Sequence, residues 1–126
     1  GLYEKNTISA NAGVGFLLEN DAEPKVLENV ITEAASDGVR ISLGSKGVFE
    51  RNTIERGRQC GIAITLGSSP IVRGNTVAQC EGVGVVVSDE ASGTLERNTV
   101  IGHRSHGIVV SRRANPVVRG NIVRDN

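Results

Sequence analysis

Apolar side chains recur along the chain with a period of 23 residues. An asparagine marks each period, and in the first five periods a glycine follows nine residues later. The asparagines are Asn6, Asn29, Asn52, Asn75, Asn98 and Asn121. The glycines are Gly15, Gly38, Gly61, Gly84 and Gly107. Because no insertion disturbs either series, we interpret the whole chain as consecutive copies of one repeat unit.

Four apolar rows within the repeat predict the core. One row stands two residues after the asparagine, two stand one and three residues after the glycine, and the fourth stands three residues before the next asparagine. The residue between the two rows after the glycine is of mixed character. This segment therefore alternates between inward and outward positions, as a β-strand does.

Each repeat has three short segments rich in β-branched residues, separated by Gly, Pro, Ser and Asn, which predicts three strands and three turns. Equivalent strands are expected to stack at about 4.8 Å per coil. A period of 23 residues with an asparagine-bearing turn favours a right-handed coil, because a left-handed β-helix has a hexapeptide period. We predict an all-β solenoid, a right-handed parallel β-helix with three parallel sheets and about five 23-residue coils. The stacked asparagines are expected to bond to one another and to backbone, in a turn that tolerates left-handed φ.

Charge argues against two classes of function. Fourteen basic and fourteen acidic residues cancel, so the chain lacks the basic excess of a nucleic-acid binder or a polybasic membrane-surface protein. The charges are unevenly placed, because residues 1–50 carry eight acids and four bases, whereas residues 97–126 carry one acid and six arginines. An acidic first end and a basic last end favour head-to-tail association of copies.

The repeat is already running at Asn6 and still running at Asn121, and composition does not shift between them. We therefore expect a single β-helix domain over residues 1–126, belonging to a longer chain. The chain has only two cysteines and no Asn-x-Ser/Thr glycosylation sequence. This favours an intracellular setting, cytoplasmic or cytoskeletal.

Three units carry a family resemblance. Residues 50–54, 73–77 and 96–100 read ERNTI, RGNTV and ERNTV, and a Gly-Ile or Gly-Val pair follows each. They resemble the parallel β-helix repeat of pectate-lyase-like proteins, and the resemblance covers the whole chain. It is closest to the β-helix domain of F-box-only ubiquitin-ligase substrate receptors and related eukaryotic scaffold β-helices. That branch implies a non-catalytic structural scaffold or protein–protein interaction module.

The enzymatic branch of the same family implies polysaccharide lyases and epimerases, with a carboxylate cluster, a basic proton acceptor and aromatic platforms for sugars. Here Asp21 and Glu90 share a repeat position but stand three coils apart, about 14 Å, beyond the roughly 5–9.5 Å between paired glycosidase carboxylates. Asp89 and Glu90 fit a solvated acidic turn. We expect no catalytic residues and no cofactor. The alternative is a carbohydrate-binding or polysaccharide-modifying domain whose catalytic residues lie in loops outside these 126 residues.

Cys80 and His103 each stand five residues after a ladder asparagine and should stack on adjacent coils, with His106 three residues further on. A thiolate and two imidazoles are zinc ligand types, so these three residues form a candidate metal site. A polar loop without metal is the favoured alternative, because no fourth ligand is evident. Cys60 stands three loop positions away from Cys80 on the neighbouring coil, so we expect no disulfide.

The outward row after the glycine is the candidate protein-binding surface. The row consists of Leu17, Arg40, Ala63, Val86 and Val109, and beside it run Ser42, Thr65, Ser88 and Ser111. An exposed apolar stripe is typical of a protein contact, although valine also suits an exposed strand. Arg112 and Arg113 are candidate contacts for an acidic partner.

A second outward row alternates in charge. It reads Leu27, Glu50, Arg73, Glu96 and Arg119. Because opposite charges on adjacent strands favour correct pairing, we interpret this row as control of coil register and not as a binding site.

Overall fold

The computed structural model describes residues 1–126 without a gap. It contains 17 strands of three residues each, in two six-stranded sheets and one five-stranded sheet, here called sheets A, B and C. Sheet A contains β1 (Leu2–Glu4), β4 (Lys25–Leu27), β7 (Val48–Glu50), β10 (Ile71–Arg73), β13 (Thr94–Glu96) and β16 (Val117–Arg119). Sheet B contains β2 (Thr7–Ser9), β5 (Val30–Thr32), β8 (Thr53–Glu55), β11 (Thr76–Ala78), β14 (Thr99–Ile101) and β17 (Ile122–Arg124). Sheet C contains β3 (Phe16–Leu18), β6 (Val39–Ile41), β9 (Ile62–Ile64), β12 (Val85–Val87) and β15 (Ile108–Val110).

All neighbouring strands run parallel, and the register joins residues that are one repeat apart. Val72 of β10, for example, lies between Phe49 of β7 and Leu95 of β13. Each full coil therefore contributes one strand to each sheet, which confirms the predicted solenoid with three parallel sheets and 23-residue coils. The chain contains no helix of the length and apolarity that a membrane span requires.

The core lies inside the triangular stack. In β10 only the central Val72 is buried, whereas in β12 both end residues, Val85 and Val87, are buried. The difference arises because a three-residue strand directs either its middle side chain or its two outer side chains inward. Sixteen buried residues form one cluster, drawn from the four predicted apolar rows and from Ala91. Burying each isoleucine or valine contributes about 2 kcal/mol.

The asparagine ladder occupies the turn between sheets A and B. Asn52 Oδ1 accepts the backbone N–H of Asn29 at 2.9 Å. Its Nδ2 donates to Val26 O at 2.9 Å and to Asn75 Oδ1 at 3.0 Å. The central rungs repeat this pattern with both side-chain atoms buried, so each rung satisfies backbone groups that face away from water. The predicted ladder is confirmed.

The turn that holds the ladder adopts left-handed φ, as predicted. Left-handed φ belongs to the residue before each rung and not to the asparagine itself, with values from 51° to 64°. These residues are Lys5, Glu28, Arg51, Gly74, Arg97 and Gly120. Four of the six are neither Gly nor Asn, so the ladder bonds of the next residue offset the backbone strain at this corner.

The alternating charge row forms separate pairs. Arg73 contacts Glu50 at 3.0 Å and Arg119 contacts Glu96 at 3.3 Å, each across adjacent strands of sheet A. The four side chains are between 21% and 66% exposed, so each pair contributes only a few tenths of a kcal/mol up to about 1 kcal/mol.

Two serines are poorly satisfied. Ser45 and Ser68 stack on adjacent coils in the turn between sheets C and A, where both are fully buried and neither hydroxyl has a hydrogen-bond partner. The equivalent residue one coil later is the core residue Ala91. A buried hydroxyl without a partner costs about 1–3 kcal/mol, so these two positions weaken the second and third coils.

Candidate functional site

The outward face of sheet C holds the predicted interaction row. The parallel register aligns Ala63 with Val86 and Val86 with Val109 on three adjacent strands. Ala63 is buried at 8% exposure, whereas the two valines are half-buried. These three side chains therefore form one uncharged stripe, which we call the sheet C stripe.

Leu17 lies in the same row but is separated from the stripe. It is 49% exposed, and its neighbour on the next strand is Arg40. The Arg40 guanidinium donates to Asp37 Oδ2 at 2.8–2.9 Å and to Ser36 Oγ at 3.2 Å. Asp37 is itself buried and accepts the N–H of Cys60 at 3.0 Å. This ion pair divides the predicted row into the sheet C stripe and an isolated leucine.

A hydroxyl cluster borders the stripe. Thr65 Oγ1 and Ser88 Oγ donate to Asp89 Oδ2 at 2.9 Å and 3.1 Å. The hydrogen bond from Thr65, helped by Ser88 and by the charge of Arg112, holds the pKa of Asp89 below its usual range. Asp89 is therefore an ionised and already satisfied carboxylate, and a hydrogen-bonded rim runs along one side of the stripe.

Two exposed leucines follow this rim. Leu43 and Leu66 occupy the turn after sheet C at equivalent positions of adjacent coils, with φ of 53° and 51° and exposures of 44% and 49%. Left-handed φ is unfavourable for a leucine, and so is exposure of its side chain. The core periodicity does not predict this feature. Its one signal in the sequence is a leucine at two successive positions of a row that is otherwise polar.

The two arginines proposed as a basic contact are partly neutralised. Arg112 lies 3.5 Å from Asp89, and Arg113 lies 4.0 Å from Glu90 on the preceding coil. Both arginines are more than three-quarters exposed. They line a shallow groove with both acids and with Leu66. Each arginine therefore has an acidic neighbour one coil away, and their role as contacts for an acidic partner stays a prediction.

The candidate metal site is not assembled. Cys80 and His103 do stack on adjacent coils, but the backbone N–H of Cys80 donates to His103 Nδ1 at 3.1 Å and His103 Nε2 lies 3.0 Å from Val77 O. His106 is exposed and bonds to Ser105. No group of three potential ligands comes together anywhere in the chain. His103 is a structural residue because both of its ring nitrogens are bound to backbone.

Both cysteines are free thiols. Burial is the main cause that raises the pKa of Cys60 and of Cys80, and the Asp37 carboxylate adds to it at Cys60. The two thiols are therefore protonated at neutral pH and are weak nucleophiles.

The comparison with known families agrees with the stacked geometry. A family model described as "Right handed beta helix region" matches residues 1–126. The chain belongs to this right-handed β-helix family. The match gives the hand of the coil, which confirms the predicted right-handed form. No curated protein and no solved structure matches the chain.

In this right-handed β-helix the surface around sheet C offers contact area more than reactive groups. The nearest carboxylates, Asp37 and Asp89, are engaged with Arg40 and with hydroxyls. The stripe itself is uncharged and lies on three adjacent paired strands.

Proposed function

We propose that this β-helix is a non-catalytic scaffold that binds another protein through the sheet C stripe. The observation that carries the proposal is the continuous uncharged row Ala63, Val86 and Val109 on three adjacent strands. The exposed Leu43 and Leu66 extend the apolar surface beyond the hydroxyl rim. Exposed apolar area on a sheet supports the proposal that the partner is a protein, because burial of apolar area is the main source of affinity in protein interfaces.

A finer assignment follows the resemblance of the repeat units. The proposal places the chain with the scaffold β-helices, such as the domain of F-box-only ubiquitin-ligase substrate receptors, in the cytoplasm or cytoskeleton. The free thiols of Cys60 and Cys80 suit a reducing compartment. A pectate-lyase-like carbohydrate domain is the second reading. The state of Asp37 weighs against it, since this carboxylate is buried and already paired with Arg40.

The first test changes the stripe. The double substitution Val86→Glu and Val109→Glu is expected to weaken partner binding at least tenfold, about 1.4 kcal/mol, because it places two carboxylates in an apolar contact. To identify the partner, a photo-crosslinking residue replaces Val109. The same residue at Thr99 is the control, and a protein that is crosslinked at position 109 and not at position 99 is taken as the partner. The affinity of the purified partner is then measured by calorimetry.

The matched control carries the same charges on another face. Thr76→Glu with Thr99→Glu also places two carboxylates on adjacent paired strands, in sheet B, so electrostatic repulsion is similar in the two double variants. Unchanged binding by the stripe variant, or equal weakening by the control, would contradict the assignment of the stripe.

A second element of the proposal is head-to-tail association of this 126-residue chain. A copy whose β1 pairs with β16 would bring Glu4 against Arg119, in the same row as the Arg73–Glu50 pair, and Asn6 onto Asn121 of the ladder. Sheets A and B would continue, while sheet C would lack one strand at the junction. Charge complementarity supports this orientation.

Light scattering over a range of protein and salt concentrations tests this element. We expect association that grows with protein concentration and weakens with salt, because exposed charges are screened. Glu4→Lys should reduce it, and adding Arg119→Glu should restore it. A monomer at all concentrations in low salt would rule the association out.

A further inference from the structure

A second column of side chains runs five residues after the asparagine ladder. Its last two members turn inward and bond to backbone. His103 Nδ1 accepts the N–H of Cys80 at 3.1 Å, and Nε2 lies 3.0 Å from Val77 O. Asn126 Oδ1 accepts the N–H of His103 at 2.9 Å, and its Nδ2 donates to Val100 O at 3.2 Å. The two residues are consecutive rungs of a short second ladder.

The bonds of this second ladder reproduce those of the main ladder. Asn98 Oδ1 accepts the N–H of Asn75 at 3.0 Å, and its Nδ2 donates to Val72 O at 2.9 Å. In both ladders the accepted N–H belongs to the residue 23 positions earlier and the contacted carbonyl to the residue 26 positions earlier. His103 Nδ1 therefore takes the role of the asparagine Oδ1, and Nε2 takes the role of Nδ2.

This substitution imposes one protonation state on the imidazole. A backbone N–H can be accepted only by an unprotonated Nδ1, and a carbonyl can be contacted favourably only by a protonated Nε2. The ring must therefore be neutral, with its proton on Nε2. The asparagine side chain does not ionise, so it makes both bonds whatever the pH. A histidine makes them only while its ring is uncharged.

We propose that His103 is a proton-controlled rung, which makes the stacking of the last two coils sensitive to mild acid. Protonation of Nδ1 would place two donors face to face, the new N–H and the N–H of Cys80, in a site that is 3% exposed. The bond between Cys80 and the ring would be lost, and the buried charge would have no anion beside it.

The surroundings contain nothing that would compensate this charge. The thiol of Cys80, buried on the coil before, is neutral. Apart from Cys80 and His103 themselves, every charged or titratable side chain on the three stacked turns is exposed to solvent. These side chains are Glu81 on the coil before, Arg104 and His106 on the same turn, and Arg124 and Asp125 on the coil after. Water screens exposed charges, so they offer the buried imidazolium little stabilisation.

The direction of the pH effect follows from linkage. Burial lowers the pKa of His103 below its usual value of about 6.5, so the folded chain holds this proton less tightly than the unfolded chain. The stability due to the neutral rung is fully present above pH 6.5. It falls as the pH drops from about 6.5 towards the lower pKa of the folded state.

Denaturant unfolding of the 126-residue chain between pH 7.5 and pH 5, with a metal chelator present, tests the proposal. For the unmodified chain we expect the folding equilibrium constant to fall by up to tenfold per pH unit below about 6.5, the limit for one proton. His103→Asn should keep the rung and lose this part of the pH dependence. His106→Asn, which removes the only other histidine, should behave like the unmodified chain.

Nitrogen and carbon NMR of the two histidines decides the question even if His103→Asn does not fold. The expected result is a proton on Nε2 of His103 and a pKa of His103 clearly below the usual value of about 6.5. The proposal is overturned if His103 carries its proton on Nδ1, if its pKa lies at or above about 6.5, or if His103→Asn retains the full pH dependence.

Discussion

Replacing Asn75 by alanine is expected to lower the free energy of unfolding by about 4 kcal/mol. Asn75 Oδ1 accepts two hydrogen bonds from Asn52, one from the backbone N–H at 2.9 Å and one from Nδ2 at 3.0 Å. Its own Nδ2 donates to Phe49 O at 2.9 Å and to Asn98 Oδ1 at 3.0 Å. Alanine removes all of these bonds from a residue that is 1% exposed. Several buried polar groups would lose a partner without gaining water, which is the costly case.

The matched control is Asn6→Ala, at the first rung of the same ladder. Asn6 is exposed, and its only side-chain bond runs from Nδ2 to Asn29 Oδ1. The bond from its backbone N–H to the same oxygen survives the substitution. We expect a loss of about 1 kcal/mol or less. Urea unfolding followed by circular dichroism compares the two variants. Equal losses in the free energy of unfolding would show that a buried rung stabilises the turn no more than an exposed one.

Periodicity predicts the fold of this chain because every coil repeats the same inward and outward directions. The row that contains Ile54, Val77 and Val100 recurs in all six copies and is buried in the central ones, so repetition of a short pattern outweighs the weak signal of a single three-residue strand. The parallel register and the asparagine ladder follow from the same fact. When identical positions stack one repeat apart, identical side chains must also stack.

The side-chain contacts in the turns could not be predicted in this way. Periodicity places Cys80 and His103 together, but it does not say that the ring points inward and bonds to backbone. It also predicts Arg112 as a basic contact, while the distance to Asp89 depends on side-chain conformation in a turn. The left-handed φ of Leu66 recurs at the equivalent position of the other coils, at Asn20, Leu43, Asp89 and Arg112, so the backbone of this turn is periodic although its side chains are not. The side-chain contacts in the turns depend on which residue stands at each coil, and that is where the candidate surface differs from its sequence-based description.

The rigidity of the stack bears directly on the proposed function. The ladder holds each coil against the next by side-chain and backbone hydrogen bonds, and strand pairing holds the backbone of sheet C, so the proposed surface is built on an ordered backbone. A partner would therefore lose little affinity to ordering of this surface. The same rigidity means that a change in the core geometry should alter the stripe as well, which makes stability measurements a necessary control for every binding variant.

Gly61→Ala is expected to destabilise the chain by about 3 kcal/mol or more, because the stack leaves no room for a methyl group at this corner. A Cβ at Gly61 would lie 2.7 Å from Gly84 O on the next coil and 3.5 Å from Cys80 Sγ, with Val77 Cγ1 closer still. The φ of Gly61 is not positive, so the requirement is close approach of two coils and not backbone freedom. Gly13→Ala is the control, since nothing lies within 4 Å of its added Cβ, and it should leave the denaturation midpoint unchanged. If both glycine variants unfolded at the same denaturant concentration, the coils would have to be more loosely stacked at the Gly61 corner than the contacts with Gly84 and Val77 indicate.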